Sequence, residues 1–235
     1  MLLPKPKITV TVIVPTLNES KTIGPVLASV RSVLPTAQLL VVDGGSKDST
    51  AKIAKKYATV LHNPGRTIAS ARNEGVHRAK GDLLIFLDAD TLLTKQFVSR
   101  AFSELSDPRT VVAGGLVMPR DVGPFTTLVF YFFNFLIFAS FAIGKPVLAG
   151  TCVAYKKKAF DAVGGFDEEM AASEDFDLCE RVSRLGRAAF LSDVVVYTSN
   201  RRIKGLGLVG LLKEWGGVTL NYYLGKKTRH YGSHR

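Results

Sequence analysis

Two aspartates, Asp88 and Asp90, flank Ala89 directly after the apolar run Leu83-Leu84-Ile85-Phe86-Leu87. If extended backbone continues through them, both side chains point to one face. Carboxylates held side by side repel unless a proton or a cation lies between them. A hard divalent cation, Mg²⁺ or Mn²⁺, takes one or two carboxylates and completes its shell with phosphate oxygens. Such a pair therefore suits charge developing on a departing nucleoside diphosphate. The plainer alternative is two solvated acids ahead of a helix starting at Thr91. Asp43 ends another apolar run, residues 38–43, and meets Gly44-Gly45-Ser46. An acid there accepts from ribose hydroxyls or a base N–H, or it helps cap the following helix. The two glycines permit close backbone approach but form neither a dinucleotide fingerprint nor a phosphate-cradling loop. Glu174-Asp175 stands at a helix start, where acids favour the helix dipole. The same position suits a general base that removes a proton from an acceptor hydroxyl.

These groups need elements to aim them. Residues 8–15 are rich in β-branched side chains and end at Pro15, which predicts a buried strand and then a loop. Helical spacing over 21–34 stops at Pro35, and residues 38–43 form a second strand. Ser46 or Asp48 is placed to cap a helix over about 49–57. A short strand at 58–62, a helix at 69–79 and a strand at 82–87 follow. Farther on, 149–155 reads as a strand, 158–163 as a short helix, 173–185 as a helix and 188–197 as a final strand. Strands alternating with helices predict an α/β fold with a mostly parallel central sheet flanked by helices. In such sheets the ligand crevice lies at the carboxyl ends of the strands. Thr16-Leu17-Asn18-Glu19, Asp43-Gly44-Gly45-Ser46 and Asp88-Ala89-Asp90 all fall on that edge.

Six segments, in order, carry a family resemblance: Val14-Pro15-Thr16-Leu17-Asn18-Glu19, the run 42–50 around Asp43, Ala71-Arg72-Asn73-Glu74-Gly75, Phe86-Leu87-Asp88-Ala89-Asp90, Gly164-Gly165-Phe166-Asp167-Glu168 and Glu174-Asp175-Phe176-Asp177-Leu178. Together they resemble the family 2 inverting glycosyltransferases of the GT-A fold, over about residues 8–200. The resemblance implies a single nucleotide-diphospho-sugar transferase domain over 1–200, a nucleotide-sugar donor (UDP- or GDP-linked) and a divalent metal. It places Asp43 on the nucleoside, Asp88 on the ribose or metal, Asp90 on the metal and Asp175, with Glu174, at the catalytic base. Pro15, Thr16, Glu19, Gly44, Arg72 and Ala89 would line the donor pocket, and Arg66, next to Gly65, could join them. The QxxRW motif of processive polysaccharide synthases is absent; the final strand leads instead to Tyr197-Thr198-Ser199-Asn200-Arg201-Arg202. That favours transfer of one sugar, with Arg201 or Arg202 set to neutralise the diphosphate or an acceptor phosphate. The rival sugar-nucleotide nucleotidyltransferases carry a Gly-rich, basic first loop, which Pro15-Thr16-Leu17-Asn18-Glu19 is not.

The formal net charge is +11, and the basic tail, 201–235, holds eight Lys or Arg against the single acid Glu214. Concentrated there, the charge suits phosphates or anionic headgroups; with no nucleic-acid motif beside it, nucleic acid is not the expected partner. Two cysteines in no metal or redox spacing fit a reducing cytoplasm. Prolines and lysines interrupt the first residues, which read as a strand and not as a leader. Residues 122–144 contain no charge and eight aromatics. At about 1.5 Å per residue a helix of that length could span a bilayer. A single crossing, however, would separate Asp90 from Asp175, and the charged stretch after Lys145 discourages a return crossing. The segment is therefore expected to lie on the membrane surface or to re-enter it as a hairpin turning near Asn134. Residues 206–224 read as an interfacial amphipathic helix with a basic anchor. Protein core or a homo-oligomer interface is the competing account of both. The sequence thus points to a lipid-linked acceptor and the cytoplasmic side of a membrane. A soluble transferase and a non-catalytic membrane-associated nucleotide-sugar-binding protein are the alternatives.

Overall fold

The computed structural model describes residues 8–65 and 67–228. Seven strands form one sheet: β1 (Val10–Thr16), β2 (Gln38–Asp43), β3 (Thr59–His62), β4 (Leu83–Leu87), β5 (Thr110–Pro119), β6 (Cys152–Lys156) and β7 (Arg187–Thr198). Their order is β3-β2-β1-β4-β6-β5-β7. Only β6 runs against the others: it pairs antiparallel with β4 and β5, while every remaining pairing is parallel. β1 and β4 are near-continuous apolar runs because helices cover both their faces.

The pleat divides the core in two. Val12, Val14, Ile85 and Leu87 face α1 (Ile23–Val33), α2 (Thr50–Ala54) and α4 (Lys95–Ser106). Ile13, Leu84, Phe86 and Tyr155 face α3 (Ile68–His77), α6 (Lys157–Ala162) and α7 (Glu174–Ser183). A Cβ added at Gly75 would lie 2.5 Å from Ile13 Cγ2, so only glycine lets α3 sit this close to β1. Cys152 and Cys179 are free, buried thiols in different core clusters.

One element, β5, escapes the sequence reading, and another, α4, entered it only as the helix starting at Thr91 in the plainer account of Asp88 and Asp90; it begins at Lys95. α4 is capped by Thr94, whose hydroxyl accepts from the Phe97 N–H, and it buries Phe97, Val98, Ala101 and Leu105. β5 is a ten-residue strand between β6 and β7. Its glycines mask it: Gly115 packs so tightly that a Cβ would meet the Val194 carbonyl at 2.7 Å. The helix expected over 49–57 is shorter, and its N-cap position is Ser49; Asp48, one residue earlier, accepts from the Thr50 N–H, and Ser46 turns back to Asp43.

The apolar segment is one straight element, α5 (Pro124–Ala142), and no hairpin turns at Asn134. Asn134 is buried beneath the helix. Its amide accepts from the Val117 N–H and donates to the Val117 carbonyl, both at 2.9 Å. It thereby satisfies β5 beyond Gly114, the last residue there paired with β6. Phe141 rests on Phe190 of β7, and Phe138 touches that ring from the margin of the exposed face, 58% exposed. The opposite side is bare: Phe125 is 70% exposed, Leu128 65% and Phe135 59%. α5 is long and apolar enough to cross a membrane, yet it follows β5 and precedes β6, whose Cys152 pairs with Leu87 at the carboxyl end of β4. Both its connections therefore lie on one sheet edge.

The last helix, α8 (Arg201–Tyr223), breaks at Gly207, where φ is 66° and ψ is 167°. The expected 206–224 helix thus starts five residues earlier and bends. Trp215 meets Phe130 and Phe133 edge-on, with centroids 5.4 Å and 5.0 Å away. The end of the tail folds back: Tyr222 donates to Glu180, and Lys227 pairs with Asp167 and Glu169. Lys227 is accordingly engaged by protein carboxylates in this arrangement.

Candidate active site

The loops after β1, β2 and β4 meet at the carboxyl edge of the sheet. Gly44 N–H donates to the Thr16 carbonyl, and Lys47 N–H donates to Asn18 Oδ1. Asp43 is buried at the end of β2; its carboxylate accepts from the Ser46 hydroxyl at 2.5 Å and lies 3.7 Å from His62 Nδ1. That carboxylate shapes its own turn beside the crevice and does not cap the next helix, which begins at Thr50. Pro15 pairs with Val42 across β1 and β2. The Thr16 hydroxyl is buried with no hydrogen-bond partner among the described residues, an orphaned group of the kind a ligand satisfies.

Extended backbone does not carry through the acids after β4. The strand stops at Leu87, and Asp88-Ala89-Asp90 forms a turn closed by the Thr91 N–H on the Asp88 carbonyl, 3.1 Å away. The two carboxylates are held by different partners. Asp88 Oδ1 lies 3.3 Å from Arg72. Asp90 accepts from Thr198 at 3.2 Å and from Ser199 at 2.6 Å, and lies 3.5 Å from the Arg201 guanidinium. Arg201 also donates to Glu19, which is buried at 3% exposure. One guanidinium therefore stands between acids from the β1 and β4 loops, in the place a cation would neutralise. Arg202 follows in the first turn of α8, and Arg66 lies outside the described residues.

Arg72 is the buried hub. Its guanidinium donates to Glu174 at 2.6 Å and to the Gly150 carbonyl at 3.3 Å, and lies 5.3 Å from the centre of the Phe166 ring. Its Nε is buried without a partner among the described residues. Ser173, in the left-handed region at φ 61°, turns the chain so that α7 begins with Glu174 and Asp175. Glu174 is committed to Arg72. Asp175 instead accepts from the Gly150 N–H at 2.6 Å and the Phe176 N–H at 2.9 Å. Burial, then the neighbouring Glu174 charge, pushes its carboxyl up to about 7, against the opposing pull of Arg72 and these N–H groups. A carboxyl poised there takes or holds a proton near neutrality.

Sequence reasoning missed Gly150, Phe166, Ser173, Thr198 and Ser199 as site-builders. Gly150 is 78 residues from Arg72 in the chain, and no spacing rule links them. The hydroxyls beside Asp90 had one signal, their position directly after the final strand.

The description "Glycosyl transferase family 2" matches residues 11–164, more than half of the chain. The chain belongs to this family. This family 2 chain is 28% identical over 205 residues to the succinoglycan biosynthesis protein ExoA of Rhizobium meliloti, covering 77% of this chain and 60% of that protein. It is 27% identical over 222 residues to the pre-mycofactocin glycosyltransferase of Mycobacterium tuberculosis, covering 88% and 44%. It thus spans 60% or less of the length of these curated relatives. Among solved structures it is similar to the mannosyltransferase PcManGT of Pyrobaculum calidifontis, solved with GDP-Man and Mn²⁺, at a TM-score of 0.70 and 24% identity, with 90% of this chain and 65% of that one covered. That likeness is one of fold, the GT-A architecture.

Proposed function

We propose that this family 2 chain transfers one sugar, with inversion, from a nucleoside diphosphate-sugar to the hydroxyl of a lipid-linked acceptor at the cytoplasmic face of a membrane. The observation that carries the reading is the convergence on one sheet edge of Asp43, Asp88, Asp90 and Arg72 with a carboxyl, Asp175, poised near neutrality. Asp43 and the unsatisfied Thr16 hydroxyl suit the nucleoside. Among the described residues no three His, Cys, Asp or Glu are grouped to hold a metal alone. The donor set fits a Mg²⁺ or Mn²⁺ ion that shares the diphosphate's oxygens with Asp88 and Asp90. Bound there, such an ion would supply positive charge against the leaving diphosphate. The Mn²⁺ in the solved PcManGT complex supports this reading.

Asp175 removes the acceptor proton as the acceptor oxygen bonds to the anomeric carbon and the bond to the diphosphate breaks. Arg201 adds positive charge beside the departing group. Glu174 positions Arg72, and Arg72 in turn holds Asp88 and the Gly150 carbonyl. The bare face of α5 and the basic tail support a membrane surface. Two buried free thiols suit a reducing compartment.

Calorimetric titration with UDP-glucose, UDP-N-acetylglucosamine and GDP-mannose, with and without Mn²⁺, tests the donor and metal together. One of them should bind in a metal-dependent way, and Asp90→Ala should abolish that dependence. If none binds with or without Mn²⁺, the reading fails.

A further inference from the structure

The sheet order lays the candidate groups out in a row. Asp43 follows β2, Thr16 ends β1, Asp88 and Asp90 follow β4, and Gly150 precedes β6. Beyond them the row continues to the ends of β5 and β7; β7 already sends Thr198 to Asp90, and the end of β5 has no part in these roles. A groove of about 520 Å³ lies there, between those strand ends and the first turns of α5. That volume is within the range of small-molecule sites, about 300–1,000 Å³.

The groove is tied to the catalytic edge. Tyr197 forms part of its wall, and the next residue, Thr198, donates to Asp90. Arg120 N–H donates to the Thr198 carbonyl at 2.9 Å, and Asn200 donates to the Asp121 carbonyl at 3.0 Å. Its chemistry is mixed. Met118, Val122 and Val195 give it apolar lining, and the rings of Tyr131 and Tyr197 are about half exposed in it. Arg120 and Asp121, consecutive in the chain, both line its polar part, and the Arg120 guanidinium donates to the Tyr197 carbonyl at 3.4 Å.

A bare phosphate would meet the Asp121 carboxylate as well as the Arg120 guanidinium. Adjacent opposite charges suit a neutral polyol better: the carboxylate accepts from hydroxyls and the guanidinium donates to ring and hydroxyl oxygens. The tyrosine rings offer an apolar body with a polar tip, which matches a sugar face. From Tyr131 the exposed apolar surface of α5 continues through Phe135 and Phe138, a path for a hydrocarbon chain. We propose that this groove is the acceptor site and that its ligand is the saccharide head of a lipid-linked sugar, with the lipid lying along α5. The proposal rests on the transferase reading above and narrows its acceptor from any lipid-borne group to a sugar hydroxyl.

The test uses two probes with one tail, octyl β-glucoside and octyl phosphate, below their micellar concentrations. Saturation-transfer NMR on the full chain measures binding of each, and calorimetry with the nucleotide-sugars and Mn²⁺ follows the donor in parallel. Octyl β-glucoside should bind through its ring as well as its chain, and at least about tenfold tighter than octyl phosphate. Asp121→Asn, which keeps a residue tolerant of the left-handed turn at φ 52°, and Tyr131→Ala should each weaken the glucoside about tenfold, the scale of one lost charged hydrogen bond or ring contact. Nucleotide-sugar binding should be unchanged in both. Equal binding of octyl phosphate, or glucoside binding indifferent to both substitutions, overturns the acceptor site while donor binding stands. Loss of nucleotide-sugar binding in the unmodified chain would instead sink the transferase reading.

Discussion

Arg72 and Glu174, 102 residues apart in the chain, meet at 2.6 Å, and both side chains are almost wholly shut from water. Breaking a buried pair from one side strands the other charge, at a cost of about 3–5 kcal/mol. Arg72→Ala should therefore lower Tm by roughly 10 °C, at about 2–4 °C per kcal/mol for a domain of this size. Arg72→Met with Glu174→Leu, which removes both charges, should recover most of that loss and none of the activity. Thermal melts of the three proteins decide it; an Arg72→Ala melt within a degree or two of the unmodified protein would show that the pair is not the structural hub.

Asp175 makes activity and stability respond to pH in opposite senses. Its folded carboxyl titrates near 7, above the ordinary value of 3.8, so the folded chain keeps a proton that the unfolded chain has released between those values. The stability this confers is complete below the unfolded value and is lost as pH rises through about 7. Asp175→Asn cannot titrate, so its Tm should gain on the unmodified protein as pH goes from 5 to 8. As a base Asp175 must be ionised: kcat/KM should rise with pH through about 7, and Asp175→Asn should lose about 10²–10⁴-fold in kcat and lack that limb. If the acceptor were a lipid phosphate, no base would be needed, Asp175→Asn would cost little and Arg202→Ala more. A pH profile on the acceptor, with Tm recorded in the same buffers, separates these outcomes.

Gly150→Ala probes the same spot by volume. The added methyl would lie 2.9 Å from Arg72 Nη2 and 3.1 Å from both Cβ and Oδ2 of Asp175. Neither side chain is free to retreat, because one is salt-bridged to Glu174 and the other hydrogen-bonded to the Gly150 N–H itself. Small displacements of catalytic groups cost about 10²-fold, and kcat of Gly150→Ala should fall by about that much with nucleotide-sugar binding retained.

The bare face of α5 should bring the protein down with anionic liposomes and release it only in part at high salt, since salt screens the basic tail and leaves apolar insertion intact. Phe135→Ser with Phe138→Ser should convert the residual binding to full salt release. A homo-oligomer in solution with no liposome binding would assign that face to a second copy.

The strands and helices that carry runs of one pattern, β1, β2, β4, α1 and α7, were legible because each buries an apolar face set by its own period. β5 was hidden because its centre, Gly114-Gly115, is packed by contact with Leu148 and Val194, neighbours that no local window contains. α4 had its signal in Phe97, Ala101 and Leu105, overshadowed by the acids just before it. Asn134 read as a polar interruption and hence a turn; its partner, the unpaired edge at Val117, exists only in three dimensions. At the site, Asp43, Asp88, Asp90 and Asp175 were readable from type and position, and Arg72 only through the family motif around it. Their pairing was not: Glu174 reads like Asp175 in sequence, and only the fold gives one to Arg72 and the other to the Gly150 N–H.

The chain has one tryptophan, Trp215, and it sits outside the two large core clusters, against Phe130 and Phe133 in a small cluster that meets the sheet at Met118 and Val195. Its emission is therefore a gauge first of the seam between α5 and α8. Seven tyrosines are spread through the chain and report on no single element. A fluorescence melt followed at the tryptophan band would register the parting of these two helices, and circular dichroism would follow the sheet. Where the two curves diverge, the temperature interval between them measures how independently the apolar arm lets go of the catalytic body.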